Sequence, residues 1–161
     1  MTLSFRVATL NDLPALVALE QHCFTTDRLS PRSFQWMISR AHAQLLVAEN
    51  AGQLLGYALV LFHRGTSLAR LYSLAIATPA RGMGLGKQLL AHIEACAMAH
   101  DCAYLRLEVR TDNPGAIALY ERSGYRRFAL INDYYADHTD ALRLEKSILR
   151  QPDEQALALY R

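Results

Sequence analysis

The sequence predicts a mixed α/β fold in a single domain, and three observations carry that expectation. Segments with two-residue alternation interleave with segments of apolar residues at helical spacing. A glycine-rich turn, Arg81-Gly82-Met83-Gly84-Leu85-Gly86-Lys87, separates a strand pattern from the longest helix pattern. The length, 161 residues, suits one hydrophobic core. Apolar residues make up 52% and charged residues 20%, an ordinary balance for a folded chain. The 17 basic residues are scattered and the net charge is only +2, which argues against a nucleic-acid partner. No apolar run approaches the roughly 20 residues of a membrane span. The first residues, Met1 to Arg6, lack the charged-then-apolar plan of a signal peptide. A cytoplasmic location without a membrane partner is therefore expected, and the sequence carries no mark of an oligomeric state.

Each element follows in order. Residues 3–7 alternate as a first strand. Thr9 and Asp12 have the spacing of a capping box, and Leu13, Leu16, Val17 and Glu20 follow at helical spacing, predicting a helix over 10–23. Ser30-Pro31 pairs an N-cap with proline at the first helical position and predicts a helix over 31–42, with Phe34, Met37 and Ile38 on its apolar side. Strands at 44–49 and 53–62 flank the turn Asn50-Ala51-Gly52, and a third strand runs over 68–76. The helix at 84–100 presents Leu85, Leu89, Leu90, Ile93 and Ala97 on one face. A strand at 103–109 leads to a helix at 114–123, started by Asn113-Pro114 and stopped by Gly124 as a left-handed cap. Strands at 125–131 and 140–148 close the order β-α-α-β-β-β-α-β-α-β-β. The domain is expected over 1–150, with a short tail at 151–161.

The glycine turn is the first chemical signal. Glycines allow positive φ and close backbone approach, and the first N–H groups of a helix have no internal partner, so the turn suits an anion such as a pyrophosphate. It is not a Walker loop, because Arg81 stands where the first glycine belongs and Gln88 follows the lysine. It is not a dinucleotide fingerprint either, since Lys87 or Leu89 occupies the third glycine position in the two possible registers.

The strand at 103–109 is the second. Leu105, Leu107 and Val109 share one face, while Tyr104, Arg106 and Glu108 share the other. Either Arg106 and Glu108 pair with neighbours on a solvated face, or Glu108 points into a water-filled cleft. Tyr120 and Ile117 lie on one side of the following helix, where a tyrosine is either core or functional. Three cysteines, Cys23, Cys96 and Cys102, cannot all pair and read as inert thiols, and the six histidines show no ligand spacing, so no metal is expected.

Arg81-Gly82-Met83-Gly84-Leu85-Gly86 resembles the (Gln/Arg)-x-x-Gly-x-(Gly/Ala) signature of the GNAT family of N-acetyltransferases. The stretch from Leu107-Glu108-Val109-Arg110 through Asn113, Ala116, Leu119-Tyr120 and Gly124-Tyr125 is similar to the RimI branch, which acetylates protein N-termini. The resemblance implies acetyl-CoA as acetyl donor, with Leu74, Ile76, Arg81, Gly82, Met83, Gly84, Gly86, Lys87 and Asn113 binding it and a backbone N–H near Leu74 receiving the oxyanion. It implies Glu108 as general base and Tyr120 as the acid for the leaving thiolate; should Glu108 not be the base, His138 is the reserve candidate. Tyr134 and Tyr135 resemble the tyrosine pair that frames the acceptor peptide in N-terminal acetyltransferases. Segment 23–30 lacks the Pro-Trp pair of closer RimI relatives, so the acceptor side departs from that branch. A peptide or protein amine is the leading acceptor; a small amine such as an amino acid, polyamine or antibiotic, or an acyl-CoA-binding module without turnover, are the alternatives.

Overall fold

Wherever the sequence alternates, the computed structural model, which describes residues 2–40 and 42–149, has a strand. These are β1 (Ser4–Val7), β2 (Ala43–Asn50), β3 (Gln53–Phe62), β4 (Leu68–Ile76), β5 (Tyr104–Arg110), β6 (Arg126–Ile131) and β7 (Ala141–Ser147). The helices are α1 (Leu13–Cys23), α2 (Pro31–Ser39), α3 (Leu85–Ala99) and α4 (Pro114–Arg122). The expected tail at 151–161 lies outside the described residues. All seven strands join one sheet in the order β1-β2-β3-β4-β5-β7-β6. Among the described residues only β4 and β5 pair in parallel. Both faces are covered. Leu16, Leu19 and Phe34 of α1 and α2 pack on Leu45, Val47, Tyr57 and Leu59. Leu85, Leu89, Leu90 and Ile93 of α3 and Tyr120 of α4 pack on Ala58, Val60, Leu105 and Leu107. Each large side chain buried this way contributes about 1.5–3 kcal/mol.

The predicted caps are in place. Ser30 Oγ accepts from Ser33 N–H at 3.1 Å, and Asn113 Oδ1 accepts from Ala116 N–H at 3.1 Å. Gly124 adopts φ +96°, and Tyr125 N–H returns to the Tyr120 carbonyl at 3.0 Å, ending α4 as a left-handed cap. That return places Tyr125 before β6 rather than in it. The second helix stops at Ser39, three residues short of the expected 42, because β2 pairing starts at Ala43 and Phe62 N–H bonds to the His42 carbonyl. The first helix begins as a 3-10 turn at Leu10–Asp12.

Asp12 anchors that turn. Its carboxylate accepts Thr9 N–H at 2.7 Å and two guanidinium bonds from Arg6 at 2.8 Å each. Hydrogen bonding from Arg6 holds its pKa below the usual carboxylate value. The stabilisation is therefore present above the unfolded pKa and lost as pH falls through the lowered folded one. Asp12→Asn is expected to cost about 1–2 kcal/mol, toward the low end because the Arg6 side chain is 37% exposed. The difference from wild type should vanish in acid urea melts; a difference unchanged between neutral and strongly acidic pH would show that charge plays no part.

A β-bulge in β4 sets up the site. Val60 pairs with Leu71 and Leu59 with Ser73, so Tyr72 has no partner and the strand's alternation shifts by one. Before the bulge Ala69 and Leu71 face the α3 side; after it Leu74 and Ile76 do, while Ala75 joins the α1–α2 side. The β4–β5 ladder runs from Leu68↔Tyr104 to Leu71↔Leu107 and no further. Beyond it the two parallel strands part, and each leads into the N-terminus of a helix on the same edge of the sheet. A crevice at the carboxyl ends of diverging parallel strands is where open α/β sheets bind ligands.

Candidate active site

A cavity of about 580 Å³ fills that opening. Its walls are Ser73 and Leu74 of β4, Glu108 and Arg110 of β5, Asn113 and Tyr120 around α4, segment 23–29 after α1, and Tyr134 and Tyr135 of the β6–β7 loop. Six of the residues expected from the sequence thus meet in one place: Leu74, Glu108, Asn113, Tyr120, Tyr134 and Tyr135. The turn from Arg81 to Lys87 does not line this cavity; it lies further along, where β4 exits toward α3.

That turn has the form of an anion cradle. Gly82 and Gly84 have φ of +80° and +77°, and a Cβ at either would enter open space. Gly84 is the left-handed N-cap of α3, and the earliest α3 bond is Gln88 N–H to the Gly84 carbonyl. The N–H groups of Leu85, Gly86 and Lys87 are therefore left for a ligand, as at any helix start. Gly86 has a different reason: a Cβ there would sit 3.0 Å from Leu119 Cδ2, so its absence lets α3 lie against α4. Arg81 turns back instead of outward, its Nε 3.1 Å from the Ile76 carbonyl and its own N–H bonded to Thr78. The pair Ile76–Arg81 thus locks the approach to the turn.

Glu108 combines both readings of its strand. It faces the cavity, and both of its oxygens are also engaged: Oε1 by Arg143 Nε at 3.0 Å, Oε2 by Arg70 Nε at 3.1 Å. Its side chain is 7% exposed. Arg106, two residues earlier, pairs with Glu145 on the outer surface. The β5–β7 register explains both pairs, since Arg106 stands opposite Glu145 and Glu108 opposite Arg143. A carboxylate offers roughly four lone-pair sites, so about two remain for a water or an ammonium.

Tyr120 is buried at the cavity wall, edge-on to Tyr125 with ring centroids 6.0 Å apart. Burial alone pushes its pKa well above the ordinary phenol value. Asn113 spends its amide oxygen on the α4 cap, which leaves its NH₂ for a ligand.

At the cavity wall formed by the β6–β7 loop, Arg70 Nη2 donates to the Tyr134 hydroxyl at 2.7 Å, and Tyr134 and Tyr135 stack edge-on at 4.9 Å. Arg110 joins the loops around the mouth, bonding Asp137 at 2.6 Å and Thr26 at 3.5 Å, while the Asp27 carboxylate accepts Ala136 N–H at 3.3 Å. His138 lies outside the cavity, its ring 83% exposed and hydrogen-bonded to Asp133. Arg70, Arg110 and the buried Glu20 are site residues that sequence reasoning missed. Among the described residues no cluster of three His, Cys, Asp or Glu side chains could hold a metal, the three cysteines are free, and no helix is long and apolar enough to cross a membrane.

Comparisons with known proteins identify the family and the fold. The sequence model of the acetyltransferase (GNAT) family matches residues 13–125. An uncharacterized N-acetyltransferase of Methanocaldococcus jannaschii is 38% identical over 62% of this chain and 64% of its own. The N-alpha-acetyltransferase RimI of Mycobacterium tuberculosis is 29% identical over 79% of this chain and 80% of its own. The crystal structure of the ribosomal-protein-S18-alanine N-acetyltransferase from Escherichia coli superposes with a TM-score of 0.83 at 25% identity, covering 94% of this chain and 97% of that one. A Salmonella typhimurium protein described as a putative acetyltransferase, solved with its cofactor acetyl-CoA, shares the fold with a TM-score of 0.80 at 18% identity, over 95% and 98% of the two chains. With a family model matching residues 13–125, more than half its length, the chain belongs to the acetyltransferase (GNAT) family of enzymes.

Proposed function

We propose that this enzyme transfers the acetyl group of acetyl-CoA directly to the α-amine of a peptide or protein, in the cytoplasm. The observation that carries the reading is the convergence of Glu108, Tyr120 and the tyrosine pair on the crevice opened by the β4 bulge. Gly82, Gly84 and the free N–H groups of Leu85, Gly86 and Lys87 would hold the pyrophosphate, with Asn113 NH₂ nearby on the same edge of the sheet. The bound donor supplies a thioester. Leu74, at the wall of the crevice, is placed for its N–H to stabilise negative charge on the carbonyl oxygen. Glu108, through its remaining lone pairs or a water, accepts the proton of the incoming ammonium. Tyr120 donates to the departing sulfur. Burial holds that phenol above its ordinary pKa, so it stabilises the thiolate as a hydrogen-bond donor, and the second proton lost by the acceptor nitrogen passes to the thiolate through water as the C–S bond breaks.

Similarity to N-terminal acetyltransferases and the Tyr134–Tyr135 pair across from segment 23–29 support a peptide over a small amine. Mass spectrometry of a panel of peptides and small amines incubated with acetyl-CoA tests this. Acetylation of free peptide N-termini, and not of the same peptides with blocked N-termini and free lysines, is the expected result. Turnover confined to polyamines or amino acids would replace the peptide reading.

Tyr120→Phe is expected to lower turnover at least roughly tenfold, since a hydrogen bond to a charged group such as the departing thiolate is worth about 1.5–3 kcal/mol. Affinity for acetyl-CoA and the melting temperature should stay close to wild type, since the ring and its packing on Tyr125 remain. Parallel losses of stability and activity would make Tyr120 a core aromatic and nothing more.

A further inference from the structure

Glu20 is a carboxyl group buried to 2% exposure in the apolar face of α1, and the scheme above gives it no role. It touches the cavity wall, and so does Ser73. Between them stands the fully buried Tyr57 of β3, whose hydroxyl donates to Glu20 Oε2 and lies 2.7 Å from Ser73 Oγ. Glu20 Oε1 accepts Leu29 N–H at 3.1 Å. These four groups form a chain with one open end, the Ser73 hydroxyl at the cavity.

The polarity of such a chain is fixed by its closed end. Leu29 N–H can only donate, so Oε1 is always an acceptor. When Glu20 is ionised, Oε2 takes the Tyr57 hydrogen. A hydroxyl has one hydrogen and two lone pairs, so Tyr57 must then accept from Ser73, and Ser73 turns its lone pairs toward the cavity. When Glu20 carries a proton, every hydrogen reverses and Ser73 presents its own hydrogen there instead.

The two states treat an amine differently. The attacking nitrogen has N–H donors and a single lone pair needed for the bond to carbon. A Ser73 that accepts takes an N–H and leaves the lone pair free; a Ser73 that donates captures the lone pair. Ser73 immediately precedes Leu74, whose N–H is proposed above to face the carbonyl oxygen, so this inference rests on that reading. We propose that Ser73 binds the acceptor nitrogen through one of its N–H groups, and that Glu20, acting through Tyr57, is the positioning residue that keeps Ser73 an acceptor.

Glu20→Gln is a near-isosteric test of the polarity. Leu29 N–H selects the amide oxygen, which leaves the NH₂ facing Tyr57 and reverses the chain with every bond still made. Burial raises the Glu20 pKa above the usual carboxylate range. The wild-type acceptor KM should therefore climb as pH falls through that raised value, and Glu20→Gln should lack this step. The other titratable groups around the chain are Tyr57 on β3, Cys23 on α1 and Arg28 in the following loop, with Asp27, Arg70 and Glu108 on the same cavity. All are retained in the variant, so a step surviving in it belongs to one of them.

The experiment is steady-state thiol release at varied acceptor and pH, on an amine that the wild type acetylates. Glu20→Gln is expected to raise the acceptor KM roughly tenfold on the high-pH side of the wild-type step, the loss of one hydrogen bond, with acetyl-CoA affinity unchanged. Ser73→Ala removes the open end while the Tyr57–Glu20 bond stays in place, and it should give the same rise. A wild-type KM in Ser73→Ala, or a wild-type pH step in Glu20→Gln, overturns the role of the chain alone. A wild type that releases no thiol with any amine overturns the proposed function, and this inference with it.

Discussion

Glu108→Gln is expected to lower turnover roughly 10²–10⁴-fold at neutral pH, the usual range for losing a general base. The loss should shrink as pH rises past the α-amine pKa of about 7.7–8.0, where the acceptor arrives already neutral. Acetyl-CoA affinity should barely move, because the turn at Gly82–Gly86 lies outside the cavity that Glu108 lines. The pH dependence matters because Glu108 also joins three strands through Arg70 and Arg143. Glutamine weakens both pairs, and Arg70 in turn holds the Tyr134 hydroxyl. A purely structural defect would misplace the acceptor loop and depress the rate equally at every pH. The guanidinium side chains are 30% and 32% exposed, so water can take up much of the lost bonding and the variant should fold. Its melting curve, measured beside the rate profile, separates the two causes. Near-full activity at neutral pH would assign the base to another group.

Much of this arrangement is legible in the sequence because local chemistry states it twice. Asn113-Pro114 and Gly124 mark α4 at both ends, and the strand before it alternates cleanly, so Glu108 and Tyr120 could be placed without tertiary information. The glycine turn is legible for the same reason, since positive φ at positions 82 and 84 is something few other residues tolerate. The ion pairs of β5 were half visible. Arg106 and Glu108 at i, i+2 face Arg143 and Glu145 at i, i+2, and antiparallel pairing of two such strands puts each charge opposite its complement.

What could not be read depends on long-range register. The bulge at Tyr72 has no glycine or proline to announce it, and simple alternation over 68–76 would set Leu71, Ser73 and Ala75 on one face. The sheet decides otherwise, and that one-residue shift turns Ser73 toward Tyr57 and opens the crevice. Glu20 sat at helical spacing with Leu13, Leu16 and Val17, and a carboxylate within an apolar stripe is itself a signal, since burying it requires a partner. The partner, Tyr57, is 37 residues away on another element. Arg70 was hidden likewise: its partners, Glu108 and Tyr134, come from β5 and from a loop that only the insertion of β7 beside β5 brings near.

Gly84→Asp is expected to weaken acetyl-CoA binding by roughly 100-fold or more, since like charges about 4 Å apart at an effective dielectric of 20 repel by about 4 kcal/mol. Gly84 is the left-handed N-cap of α3, and the direction of a side chain there is open. The added group clashes with nothing in the protein. It would stand where the helix start presents the free N–H groups of Leu85, Gly86 and Lys87, so its effect is on a ligand, not on the fold. Gly84→Asn is the matched control. Asparagine has the shape of aspartate and enters the left-handed region comparably well, so both variants carry about the same backbone strain, near 1 kcal/mol. The difference between the two affinities, measured by calorimetry on folded protein, is then the charge contribution alone. It should fall with added salt, because the turn is at the surface and screening acts on it. Equal affinities for Asp and Asn at low salt would mean that the pyrophosphate is bound elsewhere, and the proposed path of the donor, from this turn into the crevice between β4 and β5, would have to be abandoned.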